Sequence, residues 1–274
     1  MIPKTIHYCW FGGNRKSKTI LKCMDSWIKY CPDYHIVEWN ESNYDLSSAP
    51  HYVRQAYAAK KWAFVTDYVR IQIIYENGGV YLDTDIELLR SIDDKLNNSA
   101  YFGLQKDMKI NTGLGFGSEK GSTILRELMQ SYQDIPFLLP DGSMDMLPCP
   151  DRNTAIFLQH GLICKDIEQM LEGGIHIFPS EYFSPKDFFT GKLDITKNTY
   201  SIHHFAESWR SKGQRLMLKK KRMYINKHGE EEGKRRLKKW IKRHPLSLPI
   251  LYHGWKGAFD RLLKSLNQSH AAKK

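Results

Sequence analysis

An α/β fold with helices packed on a parallel sheet is predicted by three features of the sequence. A strand, a helix and a second strand follow one another within residues 4–39, and a longer helical stretch at 50–76 runs through Asn77-Gly78-Gly79 into another apolar strand. Alternation of this kind marks βαβ units, whose strands lie parallel. The third feature is capacity. With 274 residues, 41% hydrophobic and 12% aromatic, the chain can bury a substantial core, which excludes a disordered polymer.

The elements follow in order. Lys4–Phe11 is β-branched and aromatic and stops at Gly12-Gly13, which reads as a buried strand and a tight turn. Ile20, Leu21, Met24, Trp27 and Ile28 recur at helical spacing over 18–30, and Pro32-Asp33 ends that helix before a strand at 34–39. Ala63, Phe64, Tyr68, Ile71, Ile74 and Tyr75 mark one or two helices over 50–76, capped by Asn77-Gly78-Gly79. Val80–Glu87 starts as a strand and turns acidic. Further strands are expected at 100–105, 110–117, 174–178 and 199–204, with helices at 120–132 and 151–161. The segment 134–150, rich in Pro, Asp, Gly and Met, reads as a loop able to cover a site.

Composition narrows the function classes. The five cysteines, Cys9, Cys23, Cys31, Cys149 and Cys164, form no CxxC pair, so neither a disulfide framework nor a structural zinc site is expected. The N-terminus lacks the apolar core of a signal peptide, and no stretch reaches the ~18–20 apolar residues of a membrane span. The expectation is a cytoplasmic protein. Its net charge of +11 is uneven: residues 210–274 carry 20 Lys/Arg against 4 Asp/Glu, while residues 1–209 are mildly acidic. An acidic body with a basic appendage suggests chemistry in the first and anchoring in the second.

The sharpest local signal is Asp83-Thr84-Asp85. In an extended chain these two acids share a face, and held that close they repel unless a cation lies between them. Hard oxygen ligands at the end of a buried strand suit Mg²⁺ or Mn²⁺ completed by substrate phosphates. The plain alternative, a solvated turn, is weakened by the apolar run Gly78-Gly79-Val80-Tyr81-Leu82 that feeds it. Upstream, Asp67 and Arg70 lie three apart on a helix, either as an ordinary ion pair or as contacts to hydroxyls and phosphate.

The run Trp62-Ala63-Phe64-Val65-Thr66-Asp67-Tyr68-Val69-Arg70, followed by Ile74-Tyr75-Glu76-Asn77-Gly78-Gly79-Val80-Tyr81-Leu82-Asp83-Thr84-Asp85, resembles the signature of glycosyltransferase family 32. This is the DXD-containing group of bacterial capsule enzymes and yeast mannosyltransferases, and clostridial glucosylating toxins share a similar core. Thr66 stands where the signature usually has Ser. Ile6–Gly13 and His203-His204-Phe205-Ala206-Glu207-Ser208-Trp209 agree as well, so the resemblance covers roughly residues 1–210.

That resemblance implies a Rossmann-like GT-A fold over residues 1–212, a nucleotide-sugar donor, a divalent metal and transfer with retention. Asp83, Asp85, Asp67 and Arg70 become the catalytic set, with Asp85 the more direct metal ligand and Asp83 nearer the ribose and sugar. Asp67 and Arg70 contact the donor sugar. Trp10 resembles the aromatic that stacks on the nucleotide base, with core packing as the alternative. Asn111 resembles a donor-sugar contact, with a turn former as the alternative. One of His203 and His204 completes the metal shell, since extended neighbours point to opposite faces, and Ser208 with Trp209 contacts the β-phosphate. The expected cofactor is Mn²⁺ or Mg²⁺ and the donor a UDP-sugar, with galactose or glucose first.

Residues 213–274 are expected as a basic helical extension. Leu237, Trp240 and Ile241 sit at helical spacing among cations, the pattern of a helix lying on an anionic membrane. A hairpin that completes the fold or an oligomer contact is the alternative. Nucleic acid is not expected, because no RNA or DNA motif accompanies the charge. The functional expectation is a peripheral glycosyltransferase at the inner face of the cell membrane, extending a capsular or surface glycan on a lipid-linked acceptor. The alternatives are a non-enzymatic basic protein that binds membrane or nucleic acid, and a nucleotidyl- or phosphotransferase, although no GxxxxGK[ST] loop is present.

Overall fold

The computed structural model describes residues 1–206 and 212–243. Ser208, Trp209 and residues 244–274 of the expected basic extension lie outside the described residues. The chain divides into two compact units, one of Met1–Asp187 with Leu193–Phe205, the other of Phe188–Lys192 with the chain from Ala206 onward.

The first unit runs β1 (Thr5–Cys9), α1 (Lys18–Tyr30), β2 (His35–Trp39), α2 (His51–Ala58), α3 (Trp62–Asn77), β3 (Gly79–Tyr81) and β4 (Ile86–Leu88). It continues with β5 (Ala100–Gly103), β6 (Phe116–Ser118), α4 (Thr123–Gln130), α5 (Cys149–Gln159), β7 (Gln169–Leu171), β8 (Ile175–Phe178), α6 (Ser180–Phe183) and β9 (Ser201–His203). Seven strands form one sheet in the order β2-β1-β3-β6-β5-β8-β7, and β4 pairs separately with β9.

The α/β class and the Rossmann-like half expected of a GT-A fold are present, but the sheet is mixed. β1 lies parallel to β2 and β3, as helical crossovers require, and β8 lies parallel to β5. Residues 104–115 join β5 to β6 through an antiparallel Leu104–Ile110 bridge and a 3₁₀ turn at Thr112–Leu114 rather than a helical crossover, and β6 returns antiparallel to both β5 and β3. The strand expected across 110–117 is therefore shorter than the apolar pattern suggested. β7 and α6 were not foreseen, being only three and four residues long.

Side chains on both faces of the sheet are buried, the mark of a strand covered by helices on each side. Tyr52, Phe64, Phe102, Phe116, Phe137 and Phe157 belong to one core cluster, and Ile6, Trp27, Val80, Leu82, Tyr101 and Phe183 to the other. Helix α1 shows how sequence sets the packing. Ser17 caps it by accepting from the Ile20 N–H at 3.3 Å, it buries Ile20, Cys23 and Trp27, and Trp27 donates its indole N–H to the Ile86 carbonyl at 2.7 Å.

Two devices fix where β3 begins, and hence where its acids end up. Gly78 closes α3 at φ 69°, donating to the Ile74 carbonyl at 2.8 Å. Gly79 follows at φ +104°, and a side chain there would meet the Thr5 carbonyl at 2.8 Å, so both conformation and space demand glycine. His7 pins the same turn. Its Nδ1 accepts from the Trp39 indole at 3.0 Å, so its Nε2–H donates to the Gly78 carbonyl at 3.1 Å. Burial pushes this imidazole down to about 4, so it stays neutral.

The second unit contains α7 (Lys212–His228) and α8 (Glu230–Arg243), joined at Gly229. Gly233 packs bare against the Ile225 backbone, where a Cβ would fall 2.6 Å from the Ile225 Cα. Arg222 donates to the Phe188 carbonyl at 2.6 and 3.0 Å, and Asn226 to the Thr190 carbonyl at 2.9 Å. Glu230, Glu231 and Glu232 open α8 and Lys242 and Arg243 close it, which complements the helix dipole. Among the described residues no helix is long and apolar enough to cross a membrane.

Candidate active site

The acids lie just beyond the C-terminal end of β3, beside that of β1, the edge where open α/β sheets present their ligand crevice. One expectation needs correcting. β3 ends at Tyr81, so Asp83 and Asp85 sit in a turn before β4, closed by the Ile86 N–H on the Asp83 carbonyl at 3.0 Å. Their approach comes from that turn and not from strand alternation. Alternation does act one step earlier: Tyr81 and Asp83 share a face, and the Tyr81 hydroxyl donates to Asp83 Oδ1 at 2.9 Å.

The pairing of β4 with β9 brings in the third group. Ile86 lies opposite His203, and His203 Nε2 stands 3.2 Å from Asp85 Oδ1. Ligand atoms of Asp83, Asp85 and His203 all lie within 4.8 Å of one another. His204 faces elsewhere, with Nε2 2.7 Å from Glu87 Oε2, so the structure groups only the first histidine with the acids.

Helix α3 supplies Asp67 and Arg70. Arg70 is 3% exposed and anchored on three sides: Nη2 donates to Asp67 Oδ1 at 2.6 Å, Nη1 to Asp83 Oδ2 at 3.4 Å, and Nε to the Thr66 carbonyl at 2.9 Å. Thr66 also accepts Nη2 on its hydroxyl at 3.3 Å, so the side chain that replaces the usual serine keeps a role. The Asp67–Arg70 ion pair and its placement beside Asp83 thus coexist in one network.

Electrostatics follow from that burial. The cluster holds three carboxylates and one guanidinium, so it is short of positive charge. Burial pushes the Asp67 carboxyl up to about 6, against the pull of Arg70, while Asp83 adds to the rise. Asp83 is raised by burial and by Asp85, opposed by Arg70. On His203, burial works against charge, but Asp85 and then Asp83 outweigh it and hold the imidazole above its usual 6.5. Its Nδ1 is buried with no hydrogen-bond partner. Two hard carboxylates and an imidazole, around an excess of negative charge, fit a divalent cation.

The remaining sequence-derived residues are placed as follows. Asn111 stands beside the network, since a Cβ at Gly113 would lie 3.0 Å from its Oδ1 as well as 2.6 Å from Asp83 Oδ2 and 2.9 Å from Arg70 Nη1. Its amide is engaged locally: Oδ1 accepts from the Gly113 N–H at 2.8 Å and Nδ2 donates to Gln105 at 3.1 Å. Trp10 follows β1 directly, with its indole N–H on the Asn14 carbonyl at 2.7 Å and Lys16 Nζ 5.2 Å from its ring. Three participants escaped the sequence reading: Tyr81, Gly113 and Cys149. The Cys149 thiol lies 3.8 Å from Asn111 Oδ1, and burial, then Asp67, pushes it well up. Only Tyr81 carried a signal, its two-residue offset from Asp83.

Comparison with known proteins agrees with this geometry. Residues 17–102 match the family model of the glycosyltransferase sugar-binding region containing a DXD motif. Inositol phosphoceramide mannosyltransferase 3 of Schizosaccharomyces pombe (strain 972 / ATCC 24843) is 27% identical over 139 residues, 50% of this chain and 38% of the relative, so the matched part spans well under half of that protein. Among solved structures, the PaToxG glycosyltransferase is 18% identical at a TM-score of 0.46, covering 58% of this chain and 68% of its own. A glycosyltransferase involved in glycosylation of the major capsid of PBCV-1 is 12% identical at 0.42, covering 74% and 94%. The matched residues 17–102 hold Asp67, Arg70 and both acids of the turn, so the likeness to the DXD-containing sugar-binding region falls on the part of the chain that builds the candidate site.

Proposed function

We propose that this chain is a metal-dependent retaining glycosyltransferase that moves a hexose, galactose or glucose first, from a UDP-sugar to a lipid-linked capsular or surface glycan. The observation that carries this reading is the convergence of Asp83, Asp85 and His203 within 4.8 Å, beside the Asp67–Arg70 pair at the ligand-binding edge of the sheet. The name of the yeast relative supports a lipid acceptor and adds mannose to the donors worth testing.

Asp85, His203 and Asp83 would hold the cation. A divalent ion bound there supplies charge neutralisation for the departing diphosphate. Tyr81 and Arg70 clamp the Asp83 carboxylate from two sides, which presets its orientation. Asp67 accepts from a donor-sugar hydroxyl with its remaining lone pairs, and Trp10 offers a ring to the base. Front-face attack, in which the acceptor hydroxyl enters on the side the diphosphate leaves, is adopted from the resemblance to the toxin-like enzymes. Ser208 and Trp209 are assigned to the β-phosphate.

Residues 213–274 are proposed as a separate basic extension that docks on an anionic membrane, placing the enzyme at its cytoplasmic face. Support comes from a cleft of about 360 Å³ in the helical unit, where Glu232 pairs with Arg235 and Arg236 while Lys239 and Arg243 add positive charge beside Tyr224 and Trp240, and from Lys220 Nζ lying 3.6 Å from the Trp240 ring.

The test is a panel of UDP-galactose, UDP-glucose and GDP-mannose, assayed for free sugar with and without Mn²⁺. One donor should be hydrolysed with metal and not without it, and Asp85→Ala should abolish the reaction. Hydrolysis unchanged in that variant, or release of pyrophosphate instead of sugar, would refute the assignment.

A further inference from the structure

The opening turns of α5 hold four consecutive residues of the chain between β5 and β6. Lys109 pairs with Asp151, the Ile110 N–H donates to Thr154 Oγ1 at 3.0 Å, the Cys149 thiol donates to Asn111 Oδ1 at 3.8 Å, and Asn153 Nδ2 donates to Thr112 Oγ1 at 3.1 Å. Gly113 comes next, and it is the residue with no room for a Cβ beside Asp83 and Arg70. Residues 149–154 thus grip residues 109–112, and the gripped stretch leads straight into the candidate site.

The grip is made of buried polar groups with little freedom. Asn153, Thr154 and Thr112 are all buried. Thr154 gives its own proton to the Pro150 carbonyl at 2.6 Å, which fixes its oxygen as an acceptor for the Ile110 N–H. Asn153 holds Thr112 although its Oδ1 lies buried without a hydrogen-bond partner. An orphaned acceptor costs about 1–3 kcal/mol, so an apolar contact at this place would serve stability better. The contact fixes a position at the expense of stability.

Asn111 is the residue whose freedom this removes. A primary amide has two acceptor sites on oxygen and two protons on nitrogen. Its Oδ1 takes the Gly113 N–H at 2.8 Å and the Cys149 thiol, which fills both sites, and Nδ2 gives one proton to Gln105 at 3.1 Å. A single N–H remains for a ligand. The same sulfur lies against Asp67: burial raises that carboxyl, and the thiol joins Arg70 in opposing the rise. Cys149 therefore touches two of the residues that the resemblance assigns to the donor sugar.

We propose that Cys149, Asn153 and Thr154 are positioning residues for the donor: α5 locks residues 109–113 so that Asn111 offers its one open N–H to an oxygen of the transferred sugar. This rests on the glycosyltransferase reading above. It adds to that reading the polarity of one contact, which donates and does not accept, and the helix that enforces it.

The test combines KM for the nucleotide sugar turned over fastest, Kd for the matching nucleoside diphosphate with Mg²⁺, and amide exchange over residues 109–114 without ligand. Cys149→Ala and Thr154→Val should each raise KM about three- to tenfold, the worth of one neutral hydrogen bond, while diphosphate affinity stays within about twofold. Both should quicken exchange over residues 109–114, and Thr154→Ser should recover what Thr154→Val loses. Asn111→Ala should match Cys149→Ala, and the double variant should be no worse than either alone, since residues acting through one contact do not add. In proton–nitrogen spectra, the Asn111 side-chain amide, assigned by its loss in Asn111→Ala, should shift on binding the nucleotide sugar and stay in place with the diphosphate. Equal losses of nucleotide sugar and diphosphate, multiplied effects in the double variant, an amide the sugar leaves unmoved, or unchanged exchange in Thr154→Val would each overturn the proposal. A parent protein that turns over no nucleotide sugar would instead remove the reading beneath it, while the exchange result still decides whether α5 holds the loop.

Discussion

Replacing Gly113 with alanine should disable the site while leaving the fold standing. Gly113 has no left-handed backbone angle, so only space excludes a side chain there. A methyl group would fall 2.6 Å from Asp83 Oδ2, 2.9 Å from Arg70 Nη1 and 3.0 Å from Asn111 Oδ1, against an ordinary contact of 3.4 Å or more. Asp83 must therefore retreat by about 0.8 Å. It has little freedom to do so, because Tyr81 holds its other oxygen at 2.9 Å and Arg70 is itself locked by Asp67 and Thr66. Overpacking of this kind costs about 1–3 kcal/mol of stability. A shift near 1 Å in a reacting constellation costs on the order of 100-fold in rate. The expected result of Mn²⁺-stimulated donor hydrolysis is thus a 30- to 100-fold fall in kcat by the same rule, with a melting point lowered by roughly 2–10 °C for a chain of this size. Activity within twofold of the parent would show that Asp83 is not held where the reaction needs it.

Arg70→Ala strands the buried Asp67 carboxylate and removes a weaker contact to the part-exposed Asp83, which should cost about 3 kcal/mol in urea unfolding, and Arg70→Lys should recover little because an ammonium cannot replace the fork; a loss under about 1 kcal/mol would contradict a buried Asp67–Arg70 pair. His203→Gln should weaken Mn²⁺ binding, read by electron paramagnetic resonance, at least tenfold, whereas His204→Gln should change it less than twofold; the reverse order would exchange their roles. His7 gives a pH signature. Its folded value of about 4 lies below the usual 6.5, so the unfolded chain binds the extra proton and stability falls as pH drops through that window, by ~3 kcal/mol in full. Asp67, raised by burial to about 6 from 3.8, acts with the opposite sign over nearly the same range. The difference between the parent and His7→Asn therefore isolates the histidine, and parallel stability curves for the two would remove it.

Much of the site was legible because its parts lie on periodic elements. Asp67 and Arg70 three apart on a helix, and a glycine turn feeding an apolar strand that ends in two acids, are patterns the sequence displays directly. What it could not display is closure at long range. His203 reaches Asp85 because β4 and β9 pair across more than a hundred residues, and nothing in the adjacent histidines says which of them the register selects. Gly113 and Cys149 are also invisible in one dimension, since neither is needed for a backbone angle or a local repeat. The same reason explains the sheet. Helical crossovers announced its parallel half, whereas the antiparallel return of β6 depends on a short turn hidden in an apolar run that read as strand. The segment 134–150 read as a loop able to cover a site, but its Leu138–Met144 pairing emerges only once Phe137 and Arg152 have found their partners.

The central claim is that Asp83, Asp85 and His203 form one cation site serving a nucleoside diphosphate. A crystal grown with MnCl₂ and UDP, measured at the manganese absorption edge, tests it directly. The account predicts the strongest anomalous peak at bonding distance from Asp85, with His203 and Asp83 facing it and the diphosphate on its open side. A peak elsewhere, with the three side chains holding only each other and Arg70, would contradict it.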